Sequence, residues 1–377
     1  MKIGVDIRTL SFRRGGISRY TYNLLKNIIK IDSRNSYYLF NYHKSPYEWI
    51  NLGKNVKEIV LRLPQRYGLK TFWENVYLPT VLKKIKIDLW FGPDFTIPKL
   101  INIPSLITVH DLIFMKFHNL QENKLSQEIS VKVHYSIKKS NKIIVPSNFT
   151  REQVLKEFNV KDHKIVVIPE AADEYFHRID NQALISRVLN QYNIHFPYIL
   201  FVGETSKRKN LIRLLKAFYL LKSENKIDKR KLLIVGKRTI DTDYIIEESQ
   251  KLNISRDVIF TDYIPDNDLP FLYNGADVFV FPSLYEGFGI PPLEAMQCET
   301  PVAASNITSI PEVVGNGAVL FDPYDVTDIS EKIDLILNSR IDLVKLKKNA
   351  LRQAQNFSWE RSSRETLSVI ESFSPAN

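Results

Sequence analysis

The sequence predicts an α/β protein built from two doubly wound domains facing each other across a cleft. Short apolar, β-rich runs alternate with helical patterns along the chain, as strands of a parallel sheet and their crossover helices do. The alternation loosens over about 169–196 and then restarts. At 377 residues with 44% hydrophobic content, the chain is longer than one core ordinarily organises. The expected division is a first domain to residue 170, a linker over 171–195 and a second domain from 196 to 357.

In the first domain the strands are expected at 3–7, 37–41, 57–61, 87–91, 105–109 and 142–146. Helical patterns fall at 17–30, 121–140 and 149–158. In the second domain, strands are expected at 198–202, 231–235, 258–260, 277–281 and 301–304. Such continuous apolar runs suit strands covered on both faces. Ligands of open α/β sheets bind beyond the carboxyl ends of the strands, so the loops that follow strands carry the functional information.

The most informative of these loops is Phe281-Pro-Ser-Leu-Tyr-Glu-Gly-Phe-Gly-Ile-Pro-Pro-Leu-Glu294, which sets two carboxylates and two glycines around one strand-to-helix turn. Pro291 and Pro292 suit the first turn of a helix, which is expected to run to about Cys298. Gly287 and Gly289 let a ligand approach the backbone, and a helix amino terminus attracts phosphate. Glu286 and Glu294 each offer two acceptor oxygens that can span a vicinal diol of a sugar. Taken alone, the glycines also fit a plain turn, and Glu294 fits a residue that complements the helix dipole.

Three further loops hold candidate groups. Gly15 and Gly16, after Arg13 and Arg14, either admit a phosphate to the start of the following helix or make a flexible turn. His110 and Asp111 follow a strand where a histidine can hydrogen-bond a sugar or serve a structural role. Gly203 opens the run Gly-Glu-Thr-Ser-Lys-Arg-Lys-Asn210, in which Lys207, Arg208 and Lys209 precede a helix. That is either a diphosphate cradle or a solvated charge run.

Composition narrows the classes. The single cysteine, Cys298, excludes an intramolecular disulfide and fits a packing role in a reducing compartment. No run approaches membrane-spanning length and the first residues do not form a signal peptide, so a soluble cytoplasmic protein is expected. Of the net charge of +10, the excess lies in residues 1–190, with 30 Lys and Arg against 17 Asp and Glu. No zinc-ligand spacing, RNA-binding signature or basic recognition helix accompanies it, so no nucleic-acid partner is expected. The stretch 62–91 instead mixes Arg62, Arg66, Lys70, Lys83, Lys84 and Lys86 with Tyr67, Phe72, Trp73, Tyr77 and Trp90. It fits either a peripheral contact with an anionic membrane or an amphipathic helix with its aromatics in the core.

Together these segments resemble the family 4 retaining glycosyltransferases, also called glycosyl transferases group 1, over nearly the whole chain. The matching residues are Asp6-Ile-Arg-Thr-Leu10 with Gly15-Gly-Ile-Ser-Arg-Tyr20, Val109-His-Asp111, Ile144-Val-Pro-Ser-Asn-Phe149, Phe201-Val-Gly to Arg208-Lys-Asn210, Tyr285-Glu-Gly-Phe-Gly289 and Pro311-Glu-Val-Val-Gly315. The spacing of Glu286 and Glu294 is the most specific mark. The resemblance implies the GT-B fold of two Rossmann-like domains, with the last helix crossing back so that 358–377 joins residues 1–170. It implies that Glu294 holds the nucleotide ribose and Glu286 the donor sugar, with the backbone of Phe288, Gly289 and Ile290 on sugar and phosphates. It places Arg208 and Lys209 on the diphosphate, Gly15 and Gly16 in a loop closing over it, and His110 near the reacting carbon. Two departures stand out. Glu204 follows Gly203 where many relatives carry arginine, and Val167-Ile-Pro-Glu-Ala-Ala-Asp173 replaces an Asn-Gly-Val step.

The implied reaction moves a hexose from a nucleotide diphosphate sugar to a hydroxyl of a glycan or lipid-linked acceptor, with retention and without a metal or other cofactor. The resemblance extends to mannosyltransferases of bacterial surface polysaccharides, which favours GDP-mannose over UDP-linked donors. Asp241-Thr-Asp243 reads as a helix N-cap rather than a metal motif. The alternatives are an epimerase of the same fold and a non-catalytic nucleotide-sugar-binding subunit.

Overall fold

The computed structural model describes residues 1–11, 15–49, 53–61, 72–116 and 124–374. The chain divides into two compact units, Met1–Glu170 with Ser358–Asn377, and Ala171–Phe357.

The first unit contains a parallel sheet in the order β3-β2-β1-β4-β5-β6-β7. Its strands are β1 (Lys2–Asp6), β2 (Ser36–Asn41), β3 (Val56–Val60), β4 (Leu89–Gly92), β5 (Ser105–Thr108), β6 (Lys142–Val145) and β7 (Ile165–Val167). β4, β5 and most of β1 and β6 are buried on both faces, which is why they read as unbroken apolar runs. β7 is three residues long and half-buried at the sheet edge, and it was not among the expected strands. The helix Asn148–Phe158 starts at Ser147, whose side chain accepts the Thr150 N–H as an N-cap.

The helix Trp359–Glu371 packs in this unit against the helix Gly16–Ile31. Trp359 lies edge-on to Tyr20 at 5.8 Å, and the Ser363 hydroxyl donates to the Leu24 carbonyl at 3.2 Å. Ser362 donates to the Pro169 carbonyl at 2.6 Å, which ties the chain's last helix to the end of the first pass through the unit.

The mixed basic and aromatic stretch separates by side. Trp73 and Trp90 are buried in the core, whereas Phe72 and Tyr77 are exposed, as are Lys83, Lys84 and Lys86. Arg62, Arg66, Tyr67 and Lys70 lie outside the described residues, as do Arg13, Arg14 and residues 121–123 of the expected helix.

The second unit contains a parallel sheet in the order β10-β9-β8-β11-β12-β13. Its strands are β8 (Tyr198–Val202), β9 (Lys231–Val235), β10 (Val258–Phe260), β11 (Val278–Phe281), β12 (Val302–Ser305) and β13 (Val319–Phe321). Apolar layers cover both faces, one around Leu200, Phe279 and Phe281 and the other around Phe201, Phe218 and Val280. The linker expected over 171–195 is instead part of this unit. It holds the helix Gln182–Gln191, whose Ile185 and Leu189 join the core with Tyr198 and Tyr273. Its polar, irregular flanks hid the apolar face, which is defined only by the residues it meets.

Sequence order runs away from β8 in one direction through β9 and β10, and in the other through β11, β12 and β13. The carboxyl ends of β8 and β11 therefore border the switch point where open α/β sheets hold ligands.

Candidate active site

The loops after β8 and β11 are laced together. Gly203 leaves β8 at φ +155°, and its N–H donates to the Val235 carbonyl at 2.8 Å. A Cβ on the neighbouring Gly236, at φ +142°, would stand 2.1 Å from the Gly203 carbonyl oxygen, so this approach of two backbones needs glycine. The chain then forms a tight turn, Lys207–Lys209, closed by Asn210 in the left-handed conformation. The Asn210 side-chain amide donates to the Pro282 and Pro323 carbonyls at 3.1 and 2.8 Å. From the other side, the Leu284 N–H donates to the Arg208 carbonyl at 2.9 Å, and Arg208 Nη1 donates to the Tyr285 carbonyl at 3.0 Å.

At the centre, Arg208 Nη1 and Lys209 Nζ converge on Glu286 Oε1 at 2.6 and 2.7 Å. Lys209 Nζ also sits 4.9 Å from the centre of the Phe281 ring. Burial alone would raise the Glu286 carboxyl, but the charges of Lys209 and then Arg208 outweigh it and hold it below the usual carboxylate range. Burial, and then the Arg208 charge, push Lys209 below its ordinary value despite Glu286. Two cations against one carboxylate leave the trio with one net positive charge. Arg208 Nη2 further meets the half-exposed Glu204 at 3.3 Å, so the acid after Gly203 pairs with the guanidinium.

Beyond Glu286, the Ser309 hydroxyl holds the loop through the Glu286 and Phe288 carbonyls at 3.0 and 2.8 Å. Gly289, at φ +112°, leads into the helix Ile290–Gln297 with Pro291 and Pro292 in its first turn. Those prolines carry no N–H, so the backbone donors left at this helix start are Gly289 and Ile290, with Phe288 just before them. Glu294, 1% exposed, accepts the Tyr273 hydroxyl at 2.8 Å through Oε2. Cys298 is buried beside it, and burial pushes its thiol up.

The second unit thus brings Gly203, Arg208, Lys209, Glu286, Phe288, Gly289, Ile290 and Glu294 to one edge of one sheet. Sequence reasoning gave no role to Asn210, Tyr273 or Ser309, which hold that edge together; Asn210 only closed the quoted basic run, and Tyr273 and Ser309 lie in no motif. Asp241 does not cap its helix through its side chain. Its carboxylate accepts the Lys207 N–H at 3.0 Å instead, steadying the basic turn.

Gly15, Gly16 and His110 belong to the first unit. Gly15, at φ +153°, precedes the helix Gly16–Ile31, and a Cβ at either glycine would meet nothing within 4 Å among the described residues. His110 is 8% exposed, with both ring nitrogens engaged: Nδ1 lies 2.8 Å from Glu170 Oε1 and Nε2 lies 2.9 Å from the Pro93 carbonyl oxygen. Glu170 was not expected as a site residue. The only sign of it in the sequence is that it stands at the altered Asn-Gly-Val step.

Two family models match the chain: Glycosyl transferases group 1 over residues 190–353, and Glycosyltransferase Family 4 over residues 14–174. O-antigen chain mannosyltransferase B of Escherichia coli is 32% identical over 292 residues, which are 77% of this chain and 76% of that protein. The chain belongs to the group 1, family 4 glycosyltransferases. This glycosyltransferase is also 31% identical to O-antigen chain mannosyltransferase RfbU of Salmonella typhimurium, over 61% of this chain and 59% of that protein. Sucrose-phosphate synthase from Thermosynechococcus elongatus superposes with a TM-score of 0.77 over 99% of this chain and 98% of that one, at 21% identity. That likeness is one of fold, and the glycosyltransferase has the two Rossmann-like domains of GT-B. Membership in this family displaces the epimerase and the non-catalytic subunit as readings of the site.

Proposed function

We propose that this glycosyltransferase moves a mannosyl group from GDP-mannose to a hydroxyl of a glycan or lipid-linked acceptor in surface polysaccharide synthesis, with retention and without a metal. The observation that carries the reading is the convergence of Arg208 and Lys209 on Glu286 beside the backbone donors of Phe288, Gly289 and Ile290. The mannosyl group and the polysaccharide rest on the names of the similar mannosyltransferases.

The reaction separates charge: the leaving diphosphate gains negative charge while the sugar becomes oxocarbenium-like. Arg208, Lys209 and the amino terminus of the helix Ile290–Gln297 offset the negative charge, the task that a divalent cation performs elsewhere. Glu286 is engaged by two cations through Oε1, which suits a carboxylate that orients sugar hydroxyls better than one that attacks carbon. The bond from the anomeric carbon to the phosphate oxygen breaks as the acceptor oxygen bonds on the same face. The acceptor proton passes to the departing phosphate oxygen.

The expected result in a thermal-shift screen of nucleotide diphosphate sugars is that GDP-mannose stabilises most, adding roughly 2.7 kcal/mol at about 100 times its Kd. Glu294→Ala should weaken that binding by about 1.5–3 kcal/mol, since a charged acceptor for the ribose is lost. Stronger stabilisation by a UDP-linked sugar would overturn the assignment of the base.

A cytoplasmic protein in peripheral contact with an anionic membrane is the setting that fits the first unit. Phe72 and Tyr77 are exposed there, as are Lys83, Lys84 and Lys86, and no helix among the described residues is long and apolar enough to cross a membrane. Co-sedimentation with vesicles containing phosphatidylglycerol, lost in neutral vesicles or in high salt, is the expected result. Equal recovery with both vesicle types would exclude an electrostatic contact.

A further inference from the structure

We propose that Glu170 is a positioning residue that holds the His110 ring doubly protonated, so that its positive charge favours the negatively charged nucleotide sugar and its departing diphosphate. The proposal rests on the proposed transfer reaction and on the resemblance that places His110 near the reacting carbon.

The geometry is confined to the first unit. His110 stands two residues beyond β5, Pro93 directly after β4, and Glu170 three residues beyond β7, so one imidazole joins three loops at the carboxyl edge of the sheet. The Pro93 carbonyl can only accept, which places a proton on Nε2. The Glu170 carboxylate is 6% exposed and faces Nδ1 at 2.8 Å; as an ionised group it also only accepts, which places a proton on Nδ1. A ring with both protons is an imidazolium.

Burial would by itself lower the imidazole pKa; the Glu170 hydrogen bond and charge, then the Pro93 carbonyl and Asp94, outweigh it and raise it above the ordinary value. The other groups facing the ring are consistent with a cation there. The Tyr20 ring lies near-perpendicular to it at 4.5 Å between centroids and carries no charge, its hydroxyl paired to Thr108 at 3.0 Å and burial keeping it protonated. Asp94, which follows β4, is pushed up by burial while the His110 charge pulls it down. Asp6 and Arg8 act on Asp94 with opposite signs.

The arrangement follows the logic of a buried carboxylate that orients a histidine and stabilises its charged form. With Nε2 held on the Pro93 carbonyl and Nδ1 on Glu170, the ring acts on the donor through its charge. Without the Glu170 charge, the Pro93 carbonyl keeps the proton on Nε2 while Nδ1 loses its proton, and with it the ring its positive charge.

The test is the Glu170→Gln variant, which retains an acceptor of the same shape and removes the charge. NMR of the nitrogen-labelled imidazole in the ligand-free full chain is expected to show both His110 nitrogens protonated at pH 7.5, above the ordinary pKa of about 6.5. The Gln variant should titrate at least about one pH unit lower. A raised folded-state pKa means the charged form is present below it and lost as pH rises, so the alkaline limb of kcat should move down by the same interval. kcat should fall at least about tenfold, the donor KM should change less than about threefold, and Glu170→Asp should recover part of the loss.

A singly protonated wild-type ring at pH 7.5, or an unchanged titration in Glu170→Gln, overturns the pairing. An altered titration with unchanged kcat overturns the positioning role. If the Gln variant does not fold, the same measurements on Glu170→Asp decide. Should the NMR result hold while no nucleotide sugar is turned over by the wild type, the donor reading fails and the ion pair stands.

Discussion

Replacing Lys209 by alanine is expected to lower kcat for sugar transfer by about 10²–10³-fold while leaving the fold intact. Lys209 is 6% exposed, so its ammonium acts in a partly dehydrated setting where its field is least screened. Its removal does not orphan Glu286, because Arg208 still reaches the same oxygen at 2.6 Å. The loss should therefore appear in turnover rather than in thermal stability. Initial rates with donor and acceptor varied separately, beside a melting curve, check both halves. Wild-type turnover in the variant would remove Lys209 from the mechanism.

Glu286→Gln should lose transfer to at least the same extent and, unlike Lys209→Ala, should also lose stability. Without the carboxylate, two neighbouring cations face each other and Lys209 is left buried without its counter-charge, a situation that costs about 3–5 kcal/mol where one partner of a buried pair is removed. The double variant Glu286→Gln with Lys209→Ala should regain part of that stability, since no orphaned ammonium remains, but none of the activity. Assays well below the lowered melting temperature separate the two effects. The Glu286 pKa is depressed in the folded protein, so the stability it confers is present above the ordinary glutamate pKa of about 4.3 and is lost as pH falls through the folded value. A Glu286→Gln protein that melts with the wild type and turns over normally would sink the assigned role.

The contrast between these two residues shows how far the sequence could be read. Arg208, Lys209 and Glu286 were all visible as candidates, because each follows a strand that is apolar throughout and lies in a loop with glycine. That the two cations meet on one carboxylate oxygen was not visible, since residues 208 and 286 are far apart in the chain and only the adjacency of β8 and β11 joins them. The same holds for Glu294: its spacing from Glu286 is a sequence fact, but its hydrogen bond with Tyr273 depends on the packing of the helix Leu269–Gly275 against the helix Ile290–Gln297.

Reading from sequence fell short elsewhere. β7 and β13 are apolar runs of only three residues at sheet edges, Ile165–Val167 and Val319–Phe321, and were passed over although β10, as short and also at an edge, was expected. The segment 171–195 looked like a connector because its helix is amphipathic and short, and only its partners in the second unit's core reveal it as structural. Asp241 offered the residue type of a cap, yet its carboxylate turned to the Lys207 N–H across the sheet edge.

By itself, then, the sequence determined that this is a two-domain α/β protein whose turn from Glu286 to Glu294 sets two carboxylates and two glycines at a helix start, because buried parallel strands and glycine-bordered helix starts leave local, periodic marks. Only the tertiary structure decided which charges neutralise which, that His110 is held by Glu170 and Pro93, and that the last helix, expected to cross back, meets the helix Gly16–Ile31 through Trp359 and Ser363. Those outcomes rest on contacts between residues distant in the chain, whose free energies come from burial and are set only once the sheets have ordered the strands.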